Sequence, residues 1–346
     1  MSGVSPKHLA ARTDYRAPGW LPDAHSQTIY PALFGRAPAI AYRREEWSTP
    51  DGDFIDVDWL ATPPTTTPEA PLIVLFHGLE GGSGSHYARA LMAAVSARGW
   101  CGVVPHFRGC GGRLNQAPRF YHSGDSAEAD WILRRLRGQH SGPIFAAGVS
   151  LGGNVLLCWL GRQASDANSI VDAACAISAP LDLNAGGEAL GQGFNRIYTR
   201  NFLATLKKKS LAKLLQYPGL FDREAMLAAR DLAAFDNVVT APLHGFRDTL
   251  DYWTRASSKP LLPAITLPTL VLNARNDPFL PGTHLPGPAE VGAYVELLQP
   301  AQGGHVGFMT PPFPGSLSWL PDTVLGYFGK FIRHGRDRQA SAGQMA

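Results

Sequence analysis

An α/β fold with a mostly parallel central sheet, helices on both of its faces and an inserted helical cap is predicted for this chain of 346 residues. Three observations predict it. Short, continuously apolar runs alternate with helix-like stretches from about residue 71 to residue 181, the pattern of buried parallel strands joined by crossover helices. A helical block without strand signals follows over residues 182–262. Strand signals then resume at Leu267, so the block reads as a lid or cap inserted over the carboxyl edge of the sheet, where ligands bind in such folds.

Taken in order, residues 1–40 form an N-terminal segment expected to pack on the core, and 41–181 form the first part of that core. Residues 43–48 and 54–60 flank Pro50-Asp51-Gly52, a turn signal that predicts an antiparallel hairpin opening the sheet. Residues 62–68 are all threonine or proline and read as a surface loop. Strands are expected at 72–76, 101–105, 143–147 and 171–179, with helices at 87–98, 127–137 and 153–162. Beyond the cap, residues 263–334 complete the core with strands at 269–273 and 294–298. Residues 335–346 read as a disordered tail.

The pentapeptide Gly148-Val149-Ser150-Leu151-Gly152 lies between the 143–147 strand and the 153–162 helix. A serine at such a strand-to-helix turn is held in strained geometry with its Oγ exposed, and its neighbours must lack side chains where strand, helix and nucleophile crowd together. The turn leaves the Leu151 N–H at the positive end of the following helix, aimed at a developing oxyanion. Composition alone can supply this pattern, and a Gly/Ser loop leading into a buried helix is its plain alternative, so the context carries the argument. Upstream, Leu72–Phe76 runs into His77-Gly78-Leu79-Glu80-Gly81-Gly82, where a second oxyanion donor is expected from the N–H of Leu79. Downstream, the 269–273 strand leads into Asp277 and the 294–298 strand into the glycine-flanked His305.

The chain order is therefore Ser150, Asp277, His305, the order of α/β-hydrolases and not of chymotrypsin or subtilisin. In this reading His305 takes the Ser150 proton, and Asp277 fixes the imidazole tautomer. Asp182, just beyond the 171–179 strand, is a competing acid, and Asp277 is preferred to it. His77 is read as shaping the oxyanion turn, and His86, His106 and His122 as satisfied polar groups beside the site. His305 alone among the eleven histidines combines a late position, a strand exit and flanking glycines.

Hydrophobic residues make up 45% and charged residues 17% of the chain, a globular composition with material for a large core. A net charge of +3 without a nucleic-acid motif gives no reason to propose nucleic acid as a partner. No His/Cys/Asp/Glu cluster has metal-ligand spacing, so no metal is expected, and no cofactor. Cys101, Cys110, Cys158 and Cys175 lack CxxC spacing; three fall in predicted buried elements, and all read as free thiols in a reducing cytosol. With no signal-peptide pattern and no run of eighteen apolar residues, a soluble cytoplasmic enzyme is expected.

Within the cap, Phe202, Leu203, Leu206, Leu211, Leu214 and Leu215 form an apolar stripe at helical spacing, with Lys207, Lys208, Lys209 and Lys213 around it. Such a helix is compatible with peripheral contact at a lipid surface, without stable membrane insertion. A cap helix with a solvated basic face is preferred.

Several separated motifs in one order resemble the YheT-like branch of the α/β-hydrolase superfamily, related to the animal ABHD lipases and esterases. They are Pro22-Asp23-Ala24-His25-Ser26-Gln27-Thr28, the His77–Gly82 turn, Phe107-Arg108-Gly109-Cys110-Gly111-Gly112, Tyr121-His122-Ser123-Gly124-Asp125, the serine turn, Asp251-Tyr252-Trp253, residues 274–279, and Gly304-His305-Val306-Gly307-Phe308. The resemblance covers residues 20–333 and implies an α/β-hydrolase fold with a helical cap, and a triad of Ser150, Asp277 and His305. Two departures stand out. This chain has Asn276-Asp277 where the family often has two aspartates, and it is expected to lack the N-terminal membrane anchor of the animal relatives. Arg108 and Asp125 are expected to pair beneath the site.

The function expected is hydrolysis of a small-molecule carboxylic ester with an apolar, short-to-medium acyl group, through an acyl-enzyme on Ser150. A transacylase using the same acyl-enzyme and a non-catalytic scaffold of the same fold are the alternatives.

Overall fold

The computed structural model describes residues 15–61, 67 and 69–332. The expected disordered tail, the first fourteen residues and most of the Thr/Pro loop lie outside them. Eight strands form one sheet: β1 (Tyr42–Ser48), β2 (Phe54–Leu60), β3 (Leu72–Phe76), β4 (Cys101–Pro105), β5 (Ile144–Val149), β6 (Ala173–Ile177), β7 (Thr269–Leu272) and β8 (Val295–Leu298). Their spatial order is β1-β2-β4-β3-β5-β6-β7-β8. From β4 to β8 all neighbours are parallel, whereas β1 and β2 form the expected antiparallel hairpin, and β2 pairs antiparallel with β4.

The central strands are buried on both faces, which is why they read as continuous apolar runs. Successive residues of β3 alternate between two cores. Leu72, Val74 and Phe76 pack beneath Ile132, Leu133 and Val155 of helices α3 (Ser126–Gln139) and α4 (Leu151–Gln163). Ile73 and Leu75 pack against Leu91 and Met92 of α2 (His86–Ala97) and Val324 and Phe328 of α11 (Trp319–Gly329) on the other face. An N-terminal helix, α1 (Ala24–Phe34), is capped by Asp23, which accepts from the N–H groups of His25 and Ser26.

Between β6 and β7 the chain is helical: α5 (Leu183–Leu190), α6 (Arg196–Gln216), α7 (Arg223–Ala228), α8 (Leu232–Phe235), α9 (Ala241–Leu243) and α10 (Thr249–Ala256). A single π-turn over Asp236–Thr240 joins α8 to α9. The apolar stripe of α6 divides. Leu203 is buried with Phe221, Met226, Phe235 and Val239 in a core of the insertion's own, while Leu215 is 86% exposed.

The solvated basic face expected on α6 is not what forms. Lys213 is fully buried and donates to the carbonyls of Asn115 (2.6 Å) and Ala117 (2.9 Å). Lys207 donates to the carbonyls of Leu227 and Ala229, and Lys209 pairs with Glu80. Only Lys208 of the four remains exposed without a partner among the described residues. The carbonyls of irregular backbone need donors, and a long ammonium arm supplies up to three from one position.

The expected Arg108–Asp125 pair is also replaced. A buried guanidinium has five donors to satisfy, and Arg108 finds carboxylates in Asp51 and Asp53, at and beside the β1–β2 turn, and in Glu128 of α3. Asp125 pairs instead with Arg119 at 2.7 Å. All four cysteines are free; Cys158 and Cys175 are buried, whereas Cys101, at the start of β4, is only partly covered. Among the described residues, no helix is long and apolar enough to cross a membrane.

Asp58 of β2 gathers His106 (2.8 Å), Arg44 (2.7 Å) and the Ser83 hydroxyl. Arg44 also reaches the Gly111 carbonyl, so this carboxylate braces the loops that leave β3 and β4. Burial raises the Asp58 carboxyl, but the bonds from Arg44, His106 and Ser83 outweigh burial and hold it far below the usual carboxylate range. A depressed carboxyl stabilises the fold above its unfolded value, near 3.9, and loses that contribution as pH falls through the folded value. Asp58→Asn is therefore expected to cost about 3 kcal/mol at pH 7. In thermal melts as a function of pH, its difference from the wild type should shrink steadily below about pH 4.

Candidate active site

The carboxyl edge of the sheet is where backbone strain concentrates. Of the six non-glycine residues with positive φ among those described, five lie there: Glu80, Ser150, Ser178, Val306 and Phe308. β5 continues to Val149 and α4 begins at Leu151, so the turn expected over several residues is a single one, Ser150, at φ 54° and ψ −123°. Side chains at the two flanking glycines have nowhere to go. A Cβ on Gly148 would lie 2.4 Å from the Gly152 carbonyl oxygen, and one on Gly152 would lie 2.4 Å from that of Phe76. This crowding lets the serine turn press against the exit of β3.

Ser150, His305 and Asp277 come together across three loops. The Ser150 Oγ lies 3.0 Å from His305 Nε2, and His305 Nδ1 lies 2.9 Å from Asp277 Oδ2. The other carboxylate oxygen, Asp277 Oδ1, accepts from the Phe279 N–H at 2.8 Å. The Phe279 ring stacks on the imidazole, with centroids 4.0 Å apart. Asp182 is not in this group. It caps α5 by accepting from the Ala185 N–H and faces His284 at 3.6 Å.

Leu79 and Leu151 both border the cleft with Ser150 and His305, and neither backbone N–H has a protein partner among the described residues. The Gly78–Leu79 peptide is held at its other end, where the Gly78 carbonyl accepts from His77 Nδ1 (2.8 Å) and from the Gly81 N–H (2.9 Å). Carbonyl and N–H of a trans peptide point in opposite directions, so fixing the one aims the other. His77 keeps the tautomer this requires, because its Nε2 accepts from the Phe107 N–H at 3.0 Å. Burial, with nearby His106 in a lesser role, pushes His77 down to about 3 and keeps it neutral.

The other histidines are less fully satisfied than expected. His86 Nε2 and His106 Nδ1 are buried without a partner among the described residues, and His122 borders the cleft beside His244, ring centroids 4.6 Å apart. The cleft itself lies between the carboxyl edge and the insertion. Leu183, Leu190, Phe202, Leu206, Val239 and Leu243 give it a mainly apolar wall. Among the described residues no group of three or more His, Cys, Asp or Glu is placed to hold a metal ion.

The residues that sequence reasoning left without a role are in α1. Gln27, 1% exposed, accepts through Oε1 from Asn276 Nδ2 (2.9 Å) and from the Gly303 N–H (2.8 Å), while its own amide donates to the Leu21 carbonyl. Thr28 Oγ1 accepts from the His305 N–H at 2.9 Å. Asn276 closes the circuit by accepting from the Gly304 N–H at 3.1 Å. One helix thus holds both the loop of Asp277 and the loop of His305. The Asn276 departure is explained as well, since an amide can donate to Gln27 and accept from Gly304, whereas a carboxylate has only acceptors. The motif Pro22–Thr28 was the available signal, but nothing local says what a buried glutamine meets.

Comparison with known proteins agrees with this architecture. The family profile described as alpha/beta hydrolase fold matches residues 71–312. A protein named "Putative esterase YheT" from Escherichia coli (strain K12) is 39% identical over 90% of this chain and 91% of its own length. The chain belongs to the α/β-hydrolase family, in its YheT-like branch. The mouse protein named Phospholipase ABHD3 is 28% identical over 92% of this chain and 79% of its own. Among solved structures, Est1E from Butyrivibrio proteoclasticus with bound ferulic acid superposes with a TM-score of 0.54 at 15% identity, covering 84% of this chain and 99% of Est1E. The esterase Pf2001 of Pyrococcus furiosus gives 0.52 at 16% identity, covering 85% and 94%. At such identities these two speak for the fold alone.

Replacing Gln27 by leucine, close in volume but without acceptor or donor, leaves the buried Gly303 N–H and the half-buried Asn276 amide without this partner. Each such group costs roughly 1–3 kcal/mol, so Gln27→Leu is expected to lose about 3 kcal/mol in urea unfolding at an unchanged m value.

Proposed function

We propose that the protein is a serine esterase that hydrolyses small-molecule carboxylic esters through an acyl-enzyme on Ser150. The observation that carries this reading is the hydrogen-bonded series Ser150 Oγ, His305 imidazole, Asp277 carboxylate at the floor of an apolar cleft. Kinship with a protein named as an esterase supports it.

The steps follow from the atoms in place. As Ser150 Oγ attacks the ester carbonyl, His305 Nε2 takes its proton, and Asp277 holds the Nδ1–H and stabilises the imidazolium. The oxyanion is received by the N–H groups of Leu79 and Leu151, the latter in the first turn of α4 at its positive end. His305 then returns the proton to the departing alcohol, leaving the acyl group on Ser150. Water, deprotonated by the same imidazole, attacks that acyl group and releases the acid. All groups that move protons or bind charge in this sequence belong to the chain itself. The apolar wall of the cleft favours an apolar acyl group of short to medium length.

A fluorophosphonate probe is expected to label the purified protein at Ser150, located by mass mapping, and to leave Ser150→Ala unlabelled. Against 4-nitrophenyl esters of graded chain length, Ser150→Ala should lower kcat by at least about 10⁴-fold, and Asp277→Asn by about 10⁴-fold through the wrong imidazole tautomer. Full activity in Asp277→Asn would remove it from the mechanism.

A further inference from the structure

We propose that the Lys209–Glu80 ion pair latches cap helix α6 to the β3–α2 turn and thereby holds the Leu79 N–H in place as an oxyanion donor, making Glu80 and Lys209 positioning residues for the reaction. The inference rests on the esterase reading above and adds the control of its oxyanion site by the cap.

Glu80 occupies the position after Leu79 at φ 56°, in the left-handed region that a residue with a Cβ adopts only when its surroundings impose it. Three contacts impose it here. Its N–H donates to the Tyr121 hydroxyl at 2.9 Å, and that hydroxyl donates back to Glu80 Oε1 at 2.8 Å, closing a ring around the residue. The third contact comes from the cap, where Lys209 Nζ of α6 lies 2.9 Å from both carboxylate oxygens. The Cys110 Sγ stands 3.4 Å from the same ammonium.

On the other side of Leu79, the Gly78 N–H donates to the Tyr87 hydroxyl at 2.8 Å. Successive N–H groups are thus tied at Gly78 and Glu80, and the one between them is left for the cleft. Of these ties, only the one through Lys209 comes from the cap, since Tyr121 lies in the β4–α3 loop and Tyr87 in α2. The Glu80 side chain is 8% and the Lys209 side chain 26% exposed, so the pair is shielded from solvent far better than a surface ion pair. Both residues also border the cleft with Ser150. Substrate entering beneath α6 therefore meets a turn whose conformation depends on α6 being seated.

The test compares a 4-nitrophenyl ester with its thionoester, in which sulfur replaces the carbonyl oxygen. Both release 4-nitrophenol, but sulfur accepts N–H hydrogen bonds poorly, so the oxo-to-thiono ratio of kcat reports the oxyanion donors and little else. Lys209→Met and Glu80→Gln are each expected to lower kcat for the oxo ester by 10- to 100-fold with KM within about twofold, and to reduce the oxo-to-thiono ratio at least fivefold. Lys209→Arg, which can still reach the carboxylate, should stay within about threefold of the wild type. The double variant Glu80→Gln/Lys209→Met carries no buried unpaired charge and should match either single variant, because the two residues act as one unit. Ser150 labelling with an unchanged ratio in the double variant would overturn the latch alone. Failure of Ser150 to label in the wild type would overturn the esterase reading and the latch with it.

Discussion

Everything at the carboxyl edge depends on the one-residue reversal at Ser150. A parallel strand must hand over to a helix without an intervening loop, and this is sterically affordable only because Gly148 and Gly152 let α4 sit against the end of β3. The register places Phe76 opposite Gly148, which brings the His77–Gly81 turn directly over Ser150. A Cβ added to Gly78 would lie 3.2 Å from that of Ser150. The same contact that strains the serine therefore sets the distance between its side chain and the Gly78–Leu79 peptide.

Around that centre, orientation is supplied by buried polar groups acting on the backbone. His77 fixes a peptide plane, Gln27 and Thr28 fix two loops, and Lys213 satisfies the carbonyls beneath α6. Each is a side chain with several hydrogen-bonding sites used almost completely, which is what makes buried polar residues specify a single arrangement instead of weakening it. The apolar cores on either side of the sheet provide the bulk of the driving force, but they do not say where an imidazole nitrogen points.

The parts legible in the sequence were those whose physics is local. Buried parallel strands announce themselves as apolar runs, as β3 to β7 do, and a strand-to-helix turn with flanking glycines marks Ser150. Boundaries shifted where packing decides them: β5 runs on to Val149 and α4 starts at Leu151, since the sheet supports the strand up to Ser150 itself. Helix α1 escaped notice because Pro31 and a polar first turn disguise it, and its role is spent on residues far along the chain. The lysines of α6 misled for a related reason. Charge at helical spacing looks the same whether its partner is water or a carbonyl about a hundred residues upstream. Arg108 and Asp125, near each other in sequence and opposite in charge, found other partners because the hairpin turn at Asp51 and Asp53 reaches the guanidinium first.

The grip of α1 on the loops of Asp277 and His305 spans 249 positions from Gln27 to Asn276, and 276 and 277 positions to Gly303 and His305. During synthesis, the strand, turn and helix that carry Ser150 leave the ribosome well before His305 exists, and the clamp for His305 waits at the N-terminal end with nothing to hold. Ser150 is thus made well before the imidazole it bonds. On the esterase reading proposed above, reactivity arrives as a last event of maturation, when α1 meets the His305 loop, and a half-folded chain presents a serine no more reactive than any other alcohol.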